Sequence, residues 1–164
     1  MVPLCVSRQI LKSFRKTQEY DFDTLNARIR QLAFLNKSIR LVLCDEREAE
    51  PKRIEYKYDG GIRQYVEYLN KNKTPLHEEV VYVEGIEDGI LAEIAMQYND
   101  GYIPSIYSFC NNINTMEGGT HEDGFRLALT RIINAYAREQ GMIKKDETLA
   151  GDDVREGLTA IISV

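Results

Sequence analysis

The chain has 164 residues, of which 43% are hydrophobic and 29% charged, and its formal net charge is −5. These values are typical of one soluble globular domain that buries about two-thirds of its unfolded surface. No apolar run approaches the roughly 20 residues of a membrane-spanning helix, which argues against a membrane protein.

The residue types that form disulfides or bind metals are few. Cys5, Cys44 and Cys110 are odd in number and lack CxxC spacing, which favours a reducing, cytoplasmic compartment over a disulfide framework. The two histidines, His77 and His121, belong to no zinc-binding pattern. The sequence therefore predicts no metal site.

The first half of the chain predicts a helix, a β-hairpin and a second helix. Asp21 or Asp23 can cap the first helix, whose leucines and isoleucine form an apolar stripe. Apolar residues then alternate with polar ones in two strands, and a short amphipathic segment follows. The predicted bounds are about 21–36 for the first helix, 39–43 and 54–58 for the strands, and 62–69 for the second helix.

The second half begins with a connection, residues 70–79, which contains Pro75 and is a possible subdomain boundary. Beyond it the pattern predicts three strands. The Asp-Gly pair in Asn99-Asp100-Gly101 favours a tight hairpin between the second and third strands, because such turns need positive φ angles. The predicted strand bounds are 80–86, 90–98 and 103–111, with a turn at Glu87-Asp88-Gly89.

The longest predicted helix follows Gly118 and Gly119, which allow a tight backbone turn. Thr120 is the predicted N-cap, with Asp123 at capping-box-like spacing, and Gly141 ends the helix. Apolar residues at helical spacing predict a packed face. That face comprises Phe125, Leu129, Ile132, Ile133 and Tyr136.

The opposite face of this helix carries three arginines and no carboxylate. Arg126, Thr130 and Asn134 are expected on one flank, and Arg131 and Arg138 on the other. Two interpretations stay open from the charge pattern alone. The face is either simply solvated or a surface that contacts phosphate.

The chain closes with a short helical turn and a strand. Asp152 or Asp153 is predicted to cap the turn, with Glu156 at capping-box spacing from Asp153, and Gly157 ends it. The apolar strand 158–164 reaches the last residue, which indicates a truncated protein. The order of elements predicts an α+β fold, with helices packed mainly on one face of a mixed sheet.

Catalytic motifs are absent from the sequence. There is no GxxxxGK[ST] and no GxGxxG after a strand, and carboxylates around Gly118-Gly119 would repel a phosphate there. Cys110 and His121 could be imagined as nucleophile and base, but no third residue orients them. Cys110 lies on an apolar strand, where buried cysteines are common.

Four stretches of the chain carry a family resemblance. They read KTQEYDFDTLNARIRQLAFLNKSIRLVLCDERE, YDGGIRQYVEYLNKNKTPLH, GGTHEDGFRLALTRIINAYAR and GDDVREGLTAIISV. In this order they resemble the transducer domain of the gyrase B family of type II DNA topoisomerases. The wording ALTRIINAYAR and GDDVREGL is closer to gyrase than to its topoisomerase IV paralogue.

The resemblance implies a ribosomal-protein S5 domain 2-like fold with a left-handed crossover, preceded by the helix and hairpin. It assigns residues 14–164 to a transducer domain truncated within its final strand, and leaves 1–13 as a divergent segment. It also marks two structural motifs. Their residues are Gly118, Gly119, Thr120, His121, Asp152, Asp153, Arg155, Glu156 and Gly157.

The resemblance further implies a role in an ATP-dependent enzyme that supercoils or relaxes DNA by double-strand passage. ATP and Mg²⁺ would bind a separate domain. The lysine that a transducer contributes in this family would follow the final strand. The fragment alone is therefore expected to contain no catalytic residue, to bind no cofactor and to hydrolyse no ATP. The implied partners are double-stranded DNA, the gyrase A subunit in an A2B2 assembly, and a second B subunit on ATP binding.

The resemblance favours a DNA role for Arg126, which would line the cavity through which DNA passes, and more weakly for Arg131 and Arg138. Guanidinium groups suit this role because they contact phosphate without reading sequence. The alternative for Arg126 is an ion pair with Glu122 at i−4 spacing. Alternatives for the whole chain are a topoisomerase IV fragment, a non-enzymatic module that binds DNA or a topoisomerase, and an RNA-binding protein.

Overall fold

The computed structural model describes residues 20–164, so Cys5 and the predicted boundary near residue 14 lie outside the described residues. The described residues form helices and strands in the order that the sequence predicts, with one short strand added. The elements are α1 (Phe22–Leu35), β1 (Arg40–Asp45), β2 (Lys52–Lys57), α2 (Ile62–Asn70), β3 (Val81–Glu87), β4 (Ile90–Tyr98), β5 (Ser105–Cys110), β6 (Ile113–Asn114), α3 (Thr120–Glu139), α4 (Gly151–Arg155) and β7 (Leu158–Ser163).

The helix, hairpin and helix of the first half are confirmed. Asp21 is the N-cap of α1, and its Oδ1 accepts the Thr24 amide at 2.7 Å. Strands β1 and β2 pair antiparallel as a separate two-stranded sheet. The Phe34 ring of α1 stacks between the rings of Tyr58 and Tyr65, at centroid distances of 3.6 and 4.7 Å. This stack joins α1 to the hairpin and to α2.

The second sheet has five strands in the order β3-β4-β7-β5-β6. Strand β7 lies at the centre, antiparallel to β4 and parallel to β5. The predicted hairpin between β4 and β5 is therefore wrong, because β7 separates them. Neither Asp100 nor Gly101 has a positive φ. Instead the Asn99 amide donates to the Gly157 carbonyl at 2.9 Å, which ties this loop to the start of β7.

Tight two-residue turns occur at two other positions. Asp88 and Gly89, with φ of 49° and 79°, join β3 to β4 as predicted. Asn111 and Asn112, with φ of 48° and 65°, join β5 to β6. Strand β6 was not predicted, although asparagine is among the few residues that adopt the left-handed conformation readily.

Helices cover both faces of the five-stranded sheet, which corrects the expectation that they lie mainly on one face. Ile161 of β7 packs in a cluster with Phe34 of α1 and Val66 of α2. Its neighbours Ala160 and Ile162 point the other way, into a second cluster formed with α3 and α4. A strand buried on both sides is expected to be largely apolar, and β7 is so apart from Thr159 and Ser163. The α+β class and the mixed sheet are confirmed.

The connection between α2 and β3 is fixed to the sheet by buried polar side chains. The hydroxyl of Thr159, which is fully buried, donates to Asn70 Oδ1 at 2.7 Å and accepts from Asn99 Nδ2 at 3.2 Å. Asn70 Nδ2 donates to Gln97 Oε1 at 2.9 Å, and Gln97 Nε2 donates to the His77 carbonyl at 2.9 Å. The connection therefore joins α2 to the sheet instead of separating two subdomains.

Thr159→Val is expected to lower the free energy of unfolding by about 2 kcal/mol, because valine keeps the shape but leaves the buried Asn70 Oδ1 and Asn99 Nδ2 without their hydrogen-bond partner. Urea unfolding measures the loss. Thr148→Val, in an exposed loop, is the control and should change stability by less than about 0.5 kcal/mol. Equal losses at the two positions would contradict this prediction.

Candidate nucleic-acid interface

Helix α3 begins after the predicted glycine turn. Gly118 has a φ of 77°, and its amide donates to the Thr115 carbonyl at 2.8 Å. The predicted N-cap role of Thr120 is wrong, because Thr120 is the first helical residue and Gly119 occupies the cap without a side-chain bond. His121, in the first turn, is hydrogen-bonded through Nε2 to Thr115 Oγ1 at 3.1 Å. The glycine turn is therefore fixed by hydrogen bonds to Thr115, the first residue after β6.

The packed face of α3 is rotated from the predicted one. Phe125 and Leu129 are buried, but Ile132 and Tyr136 are 60% and 56% exposed. Asn134, expected on the polar flank, is only 4% exposed. Its side chain accepts the Leu149 amide at 2.8 Å and donates to the Leu149 carbonyl at 3.1 Å. The loop before α4 packs on this flank. Helical periodicity does not encode this contact, because it joins residues 15 positions apart.

The three arginines of α3 line one shallow groove. Arg126, Arg131 and Arg138 share it with Arg155 of α4, and one carboxylate, Asp123, also lines it. The expectation that Arg131 and Arg138 leave the helix on the other flank from Arg126 is therefore wrong. With Asn134 buried under the loop, the solvent-facing arc of α3 extends from Arg126 through Arg131, and the arginines fall along one surface.

Each arginine in this groove has a different set of partners. Arg126 donates from Nε and Nη2 to Glu122 Oε1, at 3.0 and 2.7 Å. Arg138 donates to the Glu147 carbonyl at 3.0 Å, and Arg155 pairs with Asp152 at 2.8 Å. Among residues 20–164, the side chain of Arg131 forms no ion pair and no hydrogen bond, and Arg131 is exposed.

Glu122 is the carboxylate that pairs with Arg126, and it is firmly held. Its Oε2 accepts the hydroxyl of Ser108, a buried residue of β5, at 2.6 Å. Burial alone would raise the pKa of Glu122, but hydrogen bonds from Ser108 and Arg126 outweigh burial and keep that pKa lowered. Glu122 is therefore ionised near neutral pH, and the ion pair predicted as the alternative for Arg126 is present.

The turn before β7 is built differently from the prediction. Helix α4 begins at Gly151 with Ala150 as its N-cap, and no side chain caps it. Asp152 and Asp153 therefore lie in the first turn of α4 and are not its caps. Gly157, with a φ of 69°, ends the turn as predicted. The side chain of Asp152 instead holds the Arg155 guanidinium at one end of the groove.

Within residues 20–164, no group of three His, Cys, Asp or Glu side chains could hold a metal ion. Cys110 is exposed at the end of β5, contrary to the expectation of a buried cysteine, and His121 contacts Thr115. In the same range, none of the helices has the length and apolar character needed to cross a bilayer.

Sequence reasoning missed the part that Ser108 plays. It belongs to no motif, lies on a different element from Glu122 and contacts it across 14 residues of sequence. Arg155 was assigned only to a structural motif, and its place in the groove depends on how α4 packs against α3. The sequence indicates the position of Ser108 only through the apolar pattern of the strand around it, which predicts that its side chain is buried.

Comparison with known proteins places these features in a family. The DNA gyrase B family model matches residues 61–164. The gyrase B subunit of Bacillus mycoides is 58% identical over 152 residues, which cover 92% of this chain and 37% of that protein. The Staphylococcus epidermidis subunit is 52% identical over 152 residues, covering 92% of this chain and 24% of that protein. The chain thus spans well under half of either relative.

Solved structures give the same result for the fold. The 43K ATPase domain of Thermus thermophilus gyrase B, in complex with an aminocoumarin, matches with a TM-score of 0.78 and 29% identity, over 93% of this chain and 41% of that one. The Myxococcus xanthus gyrase B subunit matches with a TM-score of 0.80 and 27% identity, over 99% of this chain and 47% of that one. These similarities confirm the predicted α+β fold and are consistent with the ribosomal-protein S5 domain 2-like fold.

Proposed function

We propose, because this chain belongs to the DNA gyrase B family, that it is the transducer part of the B subunit of an ATP-dependent type II topoisomerase. Such an enzyme changes DNA supercoiling by passing one duplex through a double-strand break in another. Identities of 58% and 52% to named gyrase B subunits support gyrase over topoisomerase IV.

In this proposal residues 14–164 form the transducer, and ATP with Mg²⁺ binds another domain of the B subunit. The match to the ATPase domain of Thermus thermophilus gyrase B supports that arrangement, since this chain covers 41% of it. The transducer relays closure of the B-subunit dimer on ATP binding. Its partners are double-stranded DNA, the gyrase A subunit in an A2B2 assembly and a second B subunit, in the cytoplasm.

The observation that carries the DNA role is the groove of arginines. Four guanidinium groups, from Arg126, Arg131, Arg138 and Arg155, line one surface of a chain whose net charge is −5. An acidic protein that concentrates cations along one helix presents a local attraction for a polyanion, because exposed charges act mainly within a Debye length of about 10 Å. Arginine contacts phosphates strongly and reads no sequence, as passage of any duplex requires.

The ion pair between Arg126 and Glu122 does not remove Arg126 from this role. The guanidinium uses Nε and Nη2 for Glu122, and its side chain is 35% exposed. Its remaining N–H groups can donate to a phosphate. A solvated helix face would explain the ion pair equally well, and it would not explain why Arg131 and Arg138 share the groove.

The test uses an intact B subunit that contains this sequence, assembled with the A subunit. Arg126→Ala is expected to lower the ratio of DNA-stimulated to DNA-free ATP turnover roughly fivefold, because one phosphate contact is lost. Arg40→Ala is the matched control, since Arg40 is likewise paired with a glutamate but lies on the two-stranded sheet. An unchanged ratio in Arg126→Ala would take Arg126 out of the DNA role.

A further inference from the structure

We infer that Glu122 is a positioning residue that restrains Arg126, so that Arg126 contacts DNA weakly and releases it readily. The inference rests on the proposed function, because it concerns how one proposed DNA contact is controlled. It starts from the contrast between two arginines of the groove. Arg126 is held by a carboxylate, whereas Arg131 has no such partner among residues 20–164.

The carboxylate of Glu122 is fixed from its other side. Ser108 Oγ donates to Glu122 Oε2 at 2.6 Å and lies 2.7 Å from Thr115 Oγ1. Thr115 in turn is bonded to His121, one residue before Glu122. The side chain of Glu122 is only 13% exposed. The carboxylate of Glu122 is thus restrained by Ser108 of β5 as well as by Arg126 of α3.

Whether Glu122 strengthens or weakens DNA binding depends on which atoms of Arg126 it occupies. An arginine binds a phosphate best through two parallel N–H groups. Nε and Nη2 of Arg126 form one such fork, and both donate to Glu122 Oε1. Glu122 therefore competes with phosphate for this fork and does not present it. Its negative charge also offsets the attraction between Arg126 and DNA.

This arrangement suits a surface that DNA must pass. If all the arginines of a passage bound tightly, each would slow the release of the duplex. A carboxylate that occupies the Nε–Nη2 fork of Arg126 lowers the affinity of this guanidinium for phosphate. Arg131, without a carboxylate partner in the described chain, makes the stronger contact in the same groove.

The test is a double-mutant cycle on the full chain, with duplex DNA binding followed by fluorescence anisotropy over a range of KCl concentrations. Glu122→Gln keeps the shape and removes the charge. We expect it to tighten binding roughly fivefold at 0.1 M salt, since one more unpaired cation adds about 0.9 to the salt slope. In the Arg126→Ala background the same change should have no effect.

Asp123→Asn is the matched control, because Asp123 also lines the groove beside Glu122 but, within the described residues, forms no ion pair with Arg126. An equal gain from Asp123→Asn, or a gain that survives in Arg126→Ala, would show a general charge effect and overturn the inference. Weaker binding by Glu122→Gln would also overturn it. Thermal unfolding of each variant separates changes in binding from loss of fold.

The cycle distinguishes this inference from the proposed function. If Arg126→Ala weakens binding and Glu122→Gln does not tighten it, the restraint is refuted and the DNA contact stands. If Arg126→Ala leaves both affinity and salt slope unchanged, the proposed DNA contact fails, and the restraint fails with it.

Discussion

Gly157→Ala is expected to destabilise the chain by about 3 kcal/mol or more, because the new methyl group would enter occupied backbone space. A Cβ at Gly157 would lie 2.4 Å from the Asn99 carbonyl oxygen and 2.7 Å from that of Gly101. Its φ of 69° adds the cost of a left-handed backbone for a residue with a side chain. The loop could move only by giving up the bond from the Asn99 amide to Gly157. Urea unfolding measures the loss.

Gly89→Ala separates the steric cost from the backbone cost. Gly89 has a similar φ of 79°, but a Cβ there would meet nothing within 4 Å. Gly89→Ala should therefore lower the free energy of unfolding only by the backbone conformational cost, about 1 kcal/mol. If both variants lost the same stability, contact with the 99–101 loop would not be what requires glycine at 157.

Combined loss of three arginines should give the largest change in DNA affinity. In the full chain, the triple variant Arg126→Ala, Arg131→Ala and Arg138→Ala is expected to bind duplex DNA about two to three orders of magnitude more weakly at 0.1 M salt. The reason is that each lost phosphate contact reduces the slope of log affinity against log salt by about 0.9. Anisotropy titrations at several salt concentrations measure both the affinity and the slope.

The matched control removes the same charge from another part of the molecule. Arg40, Arg53 and Lys57 lie on the two-stranded sheet, are exposed and pair with carboxylates. Their triple alanine variant has the same net charge as the groove variant. We expect it to change the slope little. Equal slopes in the two triple variants would mean that net charge, and not the groove, governs binding.

The elements that could be predicted from the sequence are those encoded locally. The cap at Asp21 and the alternation that gives β1 and β2 involve contacts between near neighbours in the chain. The hairpin predicted between β4 and β5 failed for the opposite reason. Its Asp-Gly pair is a real turn signal, but the place beside β4 is taken by β7, which comes about 60 residues later.

The candidate site shows the same division between local and distant information. Arg126 and its partner Glu122 are one helical turn apart, so their ion pair was foreseeable. The grouping of Arg126 with Arg131 was not, because it follows from the burial of Asn134 under the loop before α4. The anchoring of Glu122 by Ser108 depends on the packing of α3 against β5, which no local pattern encodes.

The central position of β7 has a consequence for synthesis on the ribosome. Strands β4 and β5 emerge early, yet neither pairs with the other, and both bond to β7. Until residues 158–163 leave the exit tunnel, the inner edges of both strands stay open. Such edges invite pairing with other chains, and non-local pairing is slow. The nascent chain should therefore need protection from aggregation until β7 is inserted between β4 and β5.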